Sequence, residues 1–285
     1  MPARPAREHD PRITVIQQEL FNENRSKADK YRELCVGRPG VGALVKYELA
    51  MVLASWVPGA IGLLLRSKLY PLVLGSVGRN VVFGVNVTLR HPHKIHIGDN
   101  VVIDDLCCLD AKGTDNQGIR IGSGVFVGRN TILSCKNGDI IIDDRANIGF
   151  NCEIFSASRV HVGKDLLMAA YTYLVGGDHL YDRTDIPVLQ QGRTARGIEV
   201  GDGVWLGTHV VVTDGSAIGR DAIIGAGAVV VGEIPEFAIA TGIPAKVTRD
   251  RRDPSPQAPS PQPSASAEAS ASAQATADKP AGEQA

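Results

Sequence analysis

The chain has 285 residues, enough for a sizeable core in one or two domains. Its formal net charge is -1, with 30 Lys and Arg against 31 Asp and Glu, and this balance argues against nucleic acid or a strongly acidic partner. Only 5% of residues are aromatic and 31 are Gly, which suits narrow repeated strands and tight corners better than a large sandwich core.

Four regions follow in chain order. Residues 1–26 form a polar N-terminal arm. It opens with MPARPAREHDPR and lacks the apolar stretch of a secretory leader. Residues 27–72 read as a helical, apolar segment. Within it, VGALVKYELAMVLASWVPGAIGLLL (41–65) is long enough to raise a membrane. Lys46, Glu48 and Pro58 interrupt it, where a span needs about 20 apolar residues with few charges. Two helices broken at Pro58 are the alternative. They would pack on a neighbouring domain or subunit, or lie at the membrane surface through residues 41–68, with Arg66 and Lys68 at the headgroups.

Residues 73–250 carry a repeat. From Val200 the chain reads in sixes: VGDGVW, LGTHVV, VTDGSA, IGRDAI, IGAGAV. Each block opens with a branched apolar residue: Val200, Leu206, Val212, Ile218, Ile224. Its fifth place is small or β-branched: Val204, Val210, Ser216, Ala222, Ala228. The same phase runs upstream through Val77, Phe83, Leu89; Ile97, Ile103, Leu109; Ile121, Val127, Leu133; Ile142, Ile148, Ile154; and Val162, Met168, Leu174. A six-residue unit is one short strand plus a corner, and three units close one triangular coil. Between triplets the inward positions are 8, 12, 9, 8, 26 and 6 residues apart. Every insertion therefore falls at one corner. The prediction is a parallel β-helix of about seven coils. The pattern leaves its handedness open; crossover chirality alone favours the right hand. Residues 251–285, rich in Pro, Ser and Ala, hold too little apolar surface to offset their ordering entropy and read as a disordered tail.

The five cysteines, Cys35, Cys107, Cys108, Cys135 and Cys152, show no CxxC spacing and read as reduced thiols of a cytoplasmic protein. His91, His93 and His96 share one loop while His161 stands apart, so no metal site is expected. The longest interruption, VGGDHLYDRTDIPVLQQGRTARGIE, contains His179. A loop of that length in a compact repeat points to function. A neutral imidazole suits removal of a proton from a hydroxyl. Asp178, Tyr181 and Asp182 flank it, either to orient the ring or as a solvated acidic loop.

The stretch IEVGDGVWLGTHVVVTDGSAIGRDAIIGAGAVVVGEIPEFAIATGIPAKVTRD resembles the C-terminal half of hexapeptide-repeat acyltransferases. It is most similar to their sugar and exopolysaccharide O-acetyltransferase branch, with the maltose and galactoside acetyltransferases. The resemblance covers about residues 75–250. It implies a left-handed β-helix, a homotrimer with active sites between subunits, and acetyl-CoA as acyl donor. His179 matches the family's catalytic base. Thr208, Ala226 and Gly227 match a groove for CoA. Lys246 and Arg249 match phosphate contacts, or else lie on a solvated terminal helix. Trp205 matches an aromatic near the cleft, or else packs at a subunit contact. The chain also departs from the galactoside pattern. Gly149 stands where that branch has its sugar-binding Asn, with Asn151 two residues on, and Val231 and Gly232 replace a Thr-Lys pair. The N-terminal sugar-site segment of the maltose and galactoside enzymes has no counterpart, which favours a larger glycan or lipid-linked sugar as acceptor. The expected activity is transfer of acetyl to a sugar hydroxyl by a cytoplasmic enzyme, with or without contact at the inner membrane face. N-acylation of an amino sugar, O-acylation of a serine-type alcohol, and a non-catalytic membrane-associated scaffold are the alternatives.

Overall fold

The computed structural model describes residues 25–253. Most of the polar arm and of the Pro/Ser-rich tail lies outside them.

Three parallel sheets form the sides of a triangular prism. Face A starts with the strand Ser76–Val77, face B with Val82–Phe83 and face C with Thr88–Arg90. The chain visits A, B and C in turn, and each strand pairs with its equivalent one coil away. Ser76 and Val77, for example, lie beside His96 and Ile97. Seven coils are complete. An eighth contributes faces A and B only, with Ile234 and Ala240 inward. The repeat therefore runs two sides past the expected seven. Many strands are two residues long, too short to stand without a neighbour on each side.

Every predicted inward residue from Phe83 to Ile224 is buried, and Val77 packs against the same core. The fifth-place residues Val204, Val210, Ser216, Ala222 and Ala228 are buried too. Ser216 is the polar member. Its hydroxyl donates to Val230 O and accepts from Gly232 N, which satisfies it inside.

The corners differ. Between A and B, one residue per coil adopts the left-handed conformation: Asn80, Asn100, Gly124, Arg145, Asp165, Gly203, Asp221 and Phe237. Between B and C the equivalent series is Asn86, Leu106, Asn130, Asn151, Tyr171, His209 and Gly227. Asn tolerates this conformation because its short polar side chain bonds locally. Here it also bonds the next coil: Asn80 Nδ2 donates to Asn100 Oδ1, and Asn130 Nδ2 to Asn151 Oδ1. Aspartates add stitches. Asp99 accepts Arg79 N, Asp144 accepts Ser123 N and Asp202 accepts Lys164 N, each at 2.7 Å. The third corner, between C and A, absorbs all the insertions.

The N-terminal mouth is covered by helix α1 (Lys27–Tyr31), a wider helical turn (Arg32–Val36), helix α2 (Val41–Ala54) and helix α3 (Gly59–Leu69). Tyr70 follows, fully buried, with its ring edge-on to Phe83 at 5.2 Å. Tyr47 donates to Leu89 O. The break at Pro58 matches the two-helix reading, and no described helix is long and apolar enough to cross a membrane. Arg66 departs from expectation. It is 2% exposed and donates to Phe83 O, Ala54 O and Val57 O. The last carbonyls of α2 and of the linker lack helical partners, and this guanidinium supplies them. Arg66 is thus a staple rather than a headgroup contact.

Leu106 holds the left-handed conformation with half of its side chain exposed. A Cβ there costs about 1–2 kcal/mol, which Asn relieves in part. Leu106→Asn is therefore expected to raise stability by about 1 kcal/mol, read as an upward shift of the melting midpoint.

Candidate active site

The long insertion leaves face C after Tyr173–Gly176 and returns to face A at Ile198–Val200. It is closed at its base by a short antiparallel ladder in which Asp178 faces Thr194 and His179 faces Arg193. The returning end is pinned by Asp214, a buried carboxylate that accepts from the backbone N–H groups of Arg196 and Gly197. The sequence reading missed Asp214. Its signal was the TDG turn at 213–215, three strands beyond the loop it anchors.

His179 is half-buried at this base. Its Nδ1 is enclosed and has no hydrogen-bond partner, so Nε2 is the nitrogen left to meet a ligand. Asp178 does not orient the ring; its carboxylate accepts from the His179 backbone N–H. Asp182 and Tyr181 are exposed. The flanking acids therefore form no triad with His179.

The other expected site residues lie elsewhere on the prism. Thr208, Ala226 and Gly227 come together at the B/C corner in successive coils, where Gly227 N donates to Thr208 O. Thr208 Oγ1 donates to Ala170 O and is already engaged. A side chain at Gly227 would meet nothing within 4 Å, so this corner is open to the outside. Lys246 and Arg249 sit on an extended strand, Lys246–Asp250, that folds back antiparallel on Ala238–Thr241 of face B. A terminal helix is not formed. Lys246 is exposed, and Arg249 Nε is buried without a partner. Trp205, about half exposed, stands on face B between Leu167 and Ile223. Within one chain, then, His179 marks the C/A corner, while the groove residues, Trp205 and Arg249 belong to face B and the B/C corner.

The departures also find physical places. Asn151 Oδ1 accepts from Asn130 in the corner ladder. Gly149 abuts the backbone of the next coil, where a Cβ would come within 2.8 Å of Ala170 N. Val231 is exposed, and Gly232 takes a positive φ.

Face A carries a second feature that spacing did not reveal. His161 bonds Glu199 through Nδ1 and Asp143 through Nε2, the latter at 3.0 Å. Arg159 reaches Glu199 at 3.6 Å. With both nitrogens engaged, His161 is a structural tie between coils and not a free base. His91 and His93 stack at 6.1 Å, and His91 Nε2 bonds Glu33 O under the N-terminal segment. Among the described residues no group of His, Cys, Asp or Glu is arranged to hold a metal ion. All five cysteines are free, and burial pushes the Cys107 and Cys135 thiols up to about 12.

Residues 76–104 and 197–232 match the family model described as the hexapeptide repeat of succinyl-transferase. The repeat seen in the fold is thus that of this family model, and the chain is similar to named acetyltransferases. This hexapeptide-repeat chain is 32% identical over 134 residues to the Mycobacterium tuberculosis protein named probable acetyltransferase Rv3034c, covering 47% of this chain and 45% of that protein. It is 30% identical to the galactoside O-acetyltransferase of Escherichia coli, covering 46% of this chain and 57% of that enzyme. WbbJ of Escherichia coli, named as an O-acetyl transferase of lipopolysaccharide biosynthesis, is 29% identical over 50% of this chain and 75% of its own length. The chain thus spans about half the length of Rv3034c and of the galactoside enzyme, and three quarters of WbbJ. Among solved structures, AntD, an N-acyltransferase from Bacillus cereus, shares the fold with a TM-score of 0.50 at 15% identity, covering 70% of this chain and 92% of that one.

Burial alone would lower the His161 pKa, but its bonds to Glu199 and Asp143 outweigh burial and hold it above the ordinary 6.5. A raised folded-state pKa gives stability that is full below the unfolded value and lost as pH rises through the folded one. The melting midpoint of His161→Gln is therefore expected to trail the unmodified protein most near about pH 5.5, with the gap closing as pH rises toward about 9. A gap independent of pH would remove the ion pair from the explanation.

Proposed function

We propose that this protein transfers an acetyl group from acetyl-CoA to a hydroxyl of a sugar or glycan, with His179 as general base in a cleft between subunits. The observation that carries the reading is the division of the expected site residues between two parts of the prism. His179, with an unpartnered ring, stands on the C/A corner. The open B/C corner at Thr208, Ala226 and Gly227 is a separate edge of the prism, with Arg249, whose Nε is unpartnered, on adjoining face B. One copy therefore supplies the base and its neighbour the groove, which makes a cyclic homotrimer the assembly that completes the site.

The steps follow from the chemistry of acyl transfer. The pantetheine arm lies along the open B/C corner, and Lys246 and Arg249 meet phosphate oxygens, where charge-assisted bonds suit them. Trp205 forms a wall of the cleft. The His179 imidazole accepts the acceptor hydroxyl proton as its oxygen attacks the thioester carbonyl. The resulting oxyanion is stabilised by backbone N–H groups at a coil corner. Collapse expels the CoA thiolate, to which the imidazolium returns the proton. The names of the galactoside and lipopolysaccharide relatives support a sugar hydroxyl as acceptor. The absence of the galactoside Asn at Gly149, with Asn151 tied into the corner ladder, favours a larger glycan over a small galactoside.

Thiol release from acetyl-CoA in the presence of a mixed glycan extract tests the base. His179→Ala should lower turnover by about 10²–10⁴-fold while leaving CoA binding in place. Equal turnover by both proteins would remove His179 from the mechanism.

The shared cleft has its own test. His179→Ala and Ala226→Trp, each inactive alone, should regain about a quarter of normal activity when co-expressed in equal amounts, because random assembly pairs an intact base with an intact groove at that frequency. No regain in mixed assemblies would place the whole site in one chain.

A further inference from the structure

Helices α2 and α3 are apolar in two directions. Inward, Tyr47, Ala50 and Ala54 of α2 are buried, Tyr47 on Leu89 O and Ala54 within the β-helix core cluster, and Gly62 of α3 is buried against Val57. Outward, Val41, Val45, Leu49, Val52 and Trp56 recur at intervals of three and four residues, so they form one stripe. Each is between 49% and 70% exposed. Ile61 and Leu64 of α3 continue the surface at 70% and 60%. A helix apolar all round belongs in a covered setting. Here only one side is covered by the rest of the described chain.

The charges around this surface indicate what covers the other side. Residues 25–80 hold nine Lys or Arg and three Asp or Glu, against a balanced chain overall. All three acids are engaged: Asp29 with Arg32, Glu33 with Arg25 and Glu48 with the Tyr31 hydroxyl. Lys27, Arg38, Lys46 and Lys68 are exposed and show no ion pair among the described residues. The apolar face is thus rimmed by uncompensated positive charge. A second copy placed face to face would set two positive rims together. An anionic lipid surface would satisfy both the apolar stripe and the rim.

We infer that α2 and α3 dock this protein on an anionic phospholipid membrane, lying in the interface plane with the stripe from Val41 to Trp56 among the acyl chains. The helices have 14 and 11 residues, too few to cross a bilayer core but sufficient to lie within its boundary. Trp56 stands two residues past the end of α2, and indole rings favour that boundary. Lys46 and Lys68 would meet headgroup phosphates. The docked face belongs to the helical cap.

Flotation of the full-length protein with vesicles tests this. One set contains phosphatidylcholine with a quarter phosphatidylglycerol, the other phosphatidylcholine alone. The double variant Val52→Glu/Leu64→Glu changes two side chains that are more than half exposed, and its fold is checked by its melting curve. The protein should float with the anionic vesicles. Binding should fall by about tenfold or more with neutral vesicles and again in the double variant, because a carboxylate is costly among acyl chains. The assembly size on gel filtration should stay unchanged. Failure of the unmodified protein to float, or equal flotation of the folded double variant, would overturn the inference. So would a smaller assembly of the double variant without lipid, which would assign the face to a second copy.

Discussion

The structure rests on one constraint: each coil must hold its register against the next. The strands are two to five residues long, and none can persist alone. Backbone bonds between neighbouring strands, which set Val160 in register with Ile198 and Ile140, satisfy every coil through its neighbours. Shifting one strand by a single residue would turn its buried Ile or Val outward and break the column. Six-residue spacing is therefore a requirement of the hydrogen bonding as much as of the core. The inward residues then differ little in size, because each occupies the same slot in a translated copy of the same coil.

That constraint explains why the corners are unequal. Two of them turn within a fixed number of residues and depend on left-handed backbone at one place per coil. Insertion there would displace the next strand from its register. The C/A corner joins a strand at the end of one coil to the start of the next, and extra chain can leave and return without disturbing either. It holds three residues between Thr213 and Ala217 or the whole stretch from Gly177 to Gly197. Variation in chemistry is thereby confined to one edge of the prism, and Asp214 ties the longest excursion down where it rejoins face A.

Most of this fold was legible in the sequence because its phase survives every insertion. Leu174 and Val200 occupy consecutive inward slots although they stand 26 positions apart, and both are fully buried. The loop with His179 was legible as the one place where the phase is suspended for long. Contacts between coils were harder. His161 and Glu199 are register partners 38 residues apart, and only the exact coil alignment brings them together. Arg66 was misread for a different reason. A cation at the end of an apolar helix reads as solvated, yet the break at Pro58 leaves carbonyls that need a donor, and their demand is visible only in three dimensions. The terminal strand at Lys246–Asp250 follows similar logic: face B ends on an open edge after Ala240, and the chain folds back to pair it.

The same geometry bears on the proposal that an assembly completes the site. A prism with flat sides has no deep concavity of its own, and acyl transfer needs a place from which water is excluded. Packing edges and faces of several prisms creates clefts without altering any coil. The long loop at one edge and the smooth groove at another can then be adjusted separately, one for the acceptor and the other for the donor. The register that fixes the core also fixes the height of both along the axis. His179 rises beside the fifth and sixth coils, while Thr208 and Gly227 belong to the sixth and seventh. Neighbouring copies related by rotation about a common axis keep equivalent coils at equal height. The base and the groove would therefore meet at matching levels with no further device to align them.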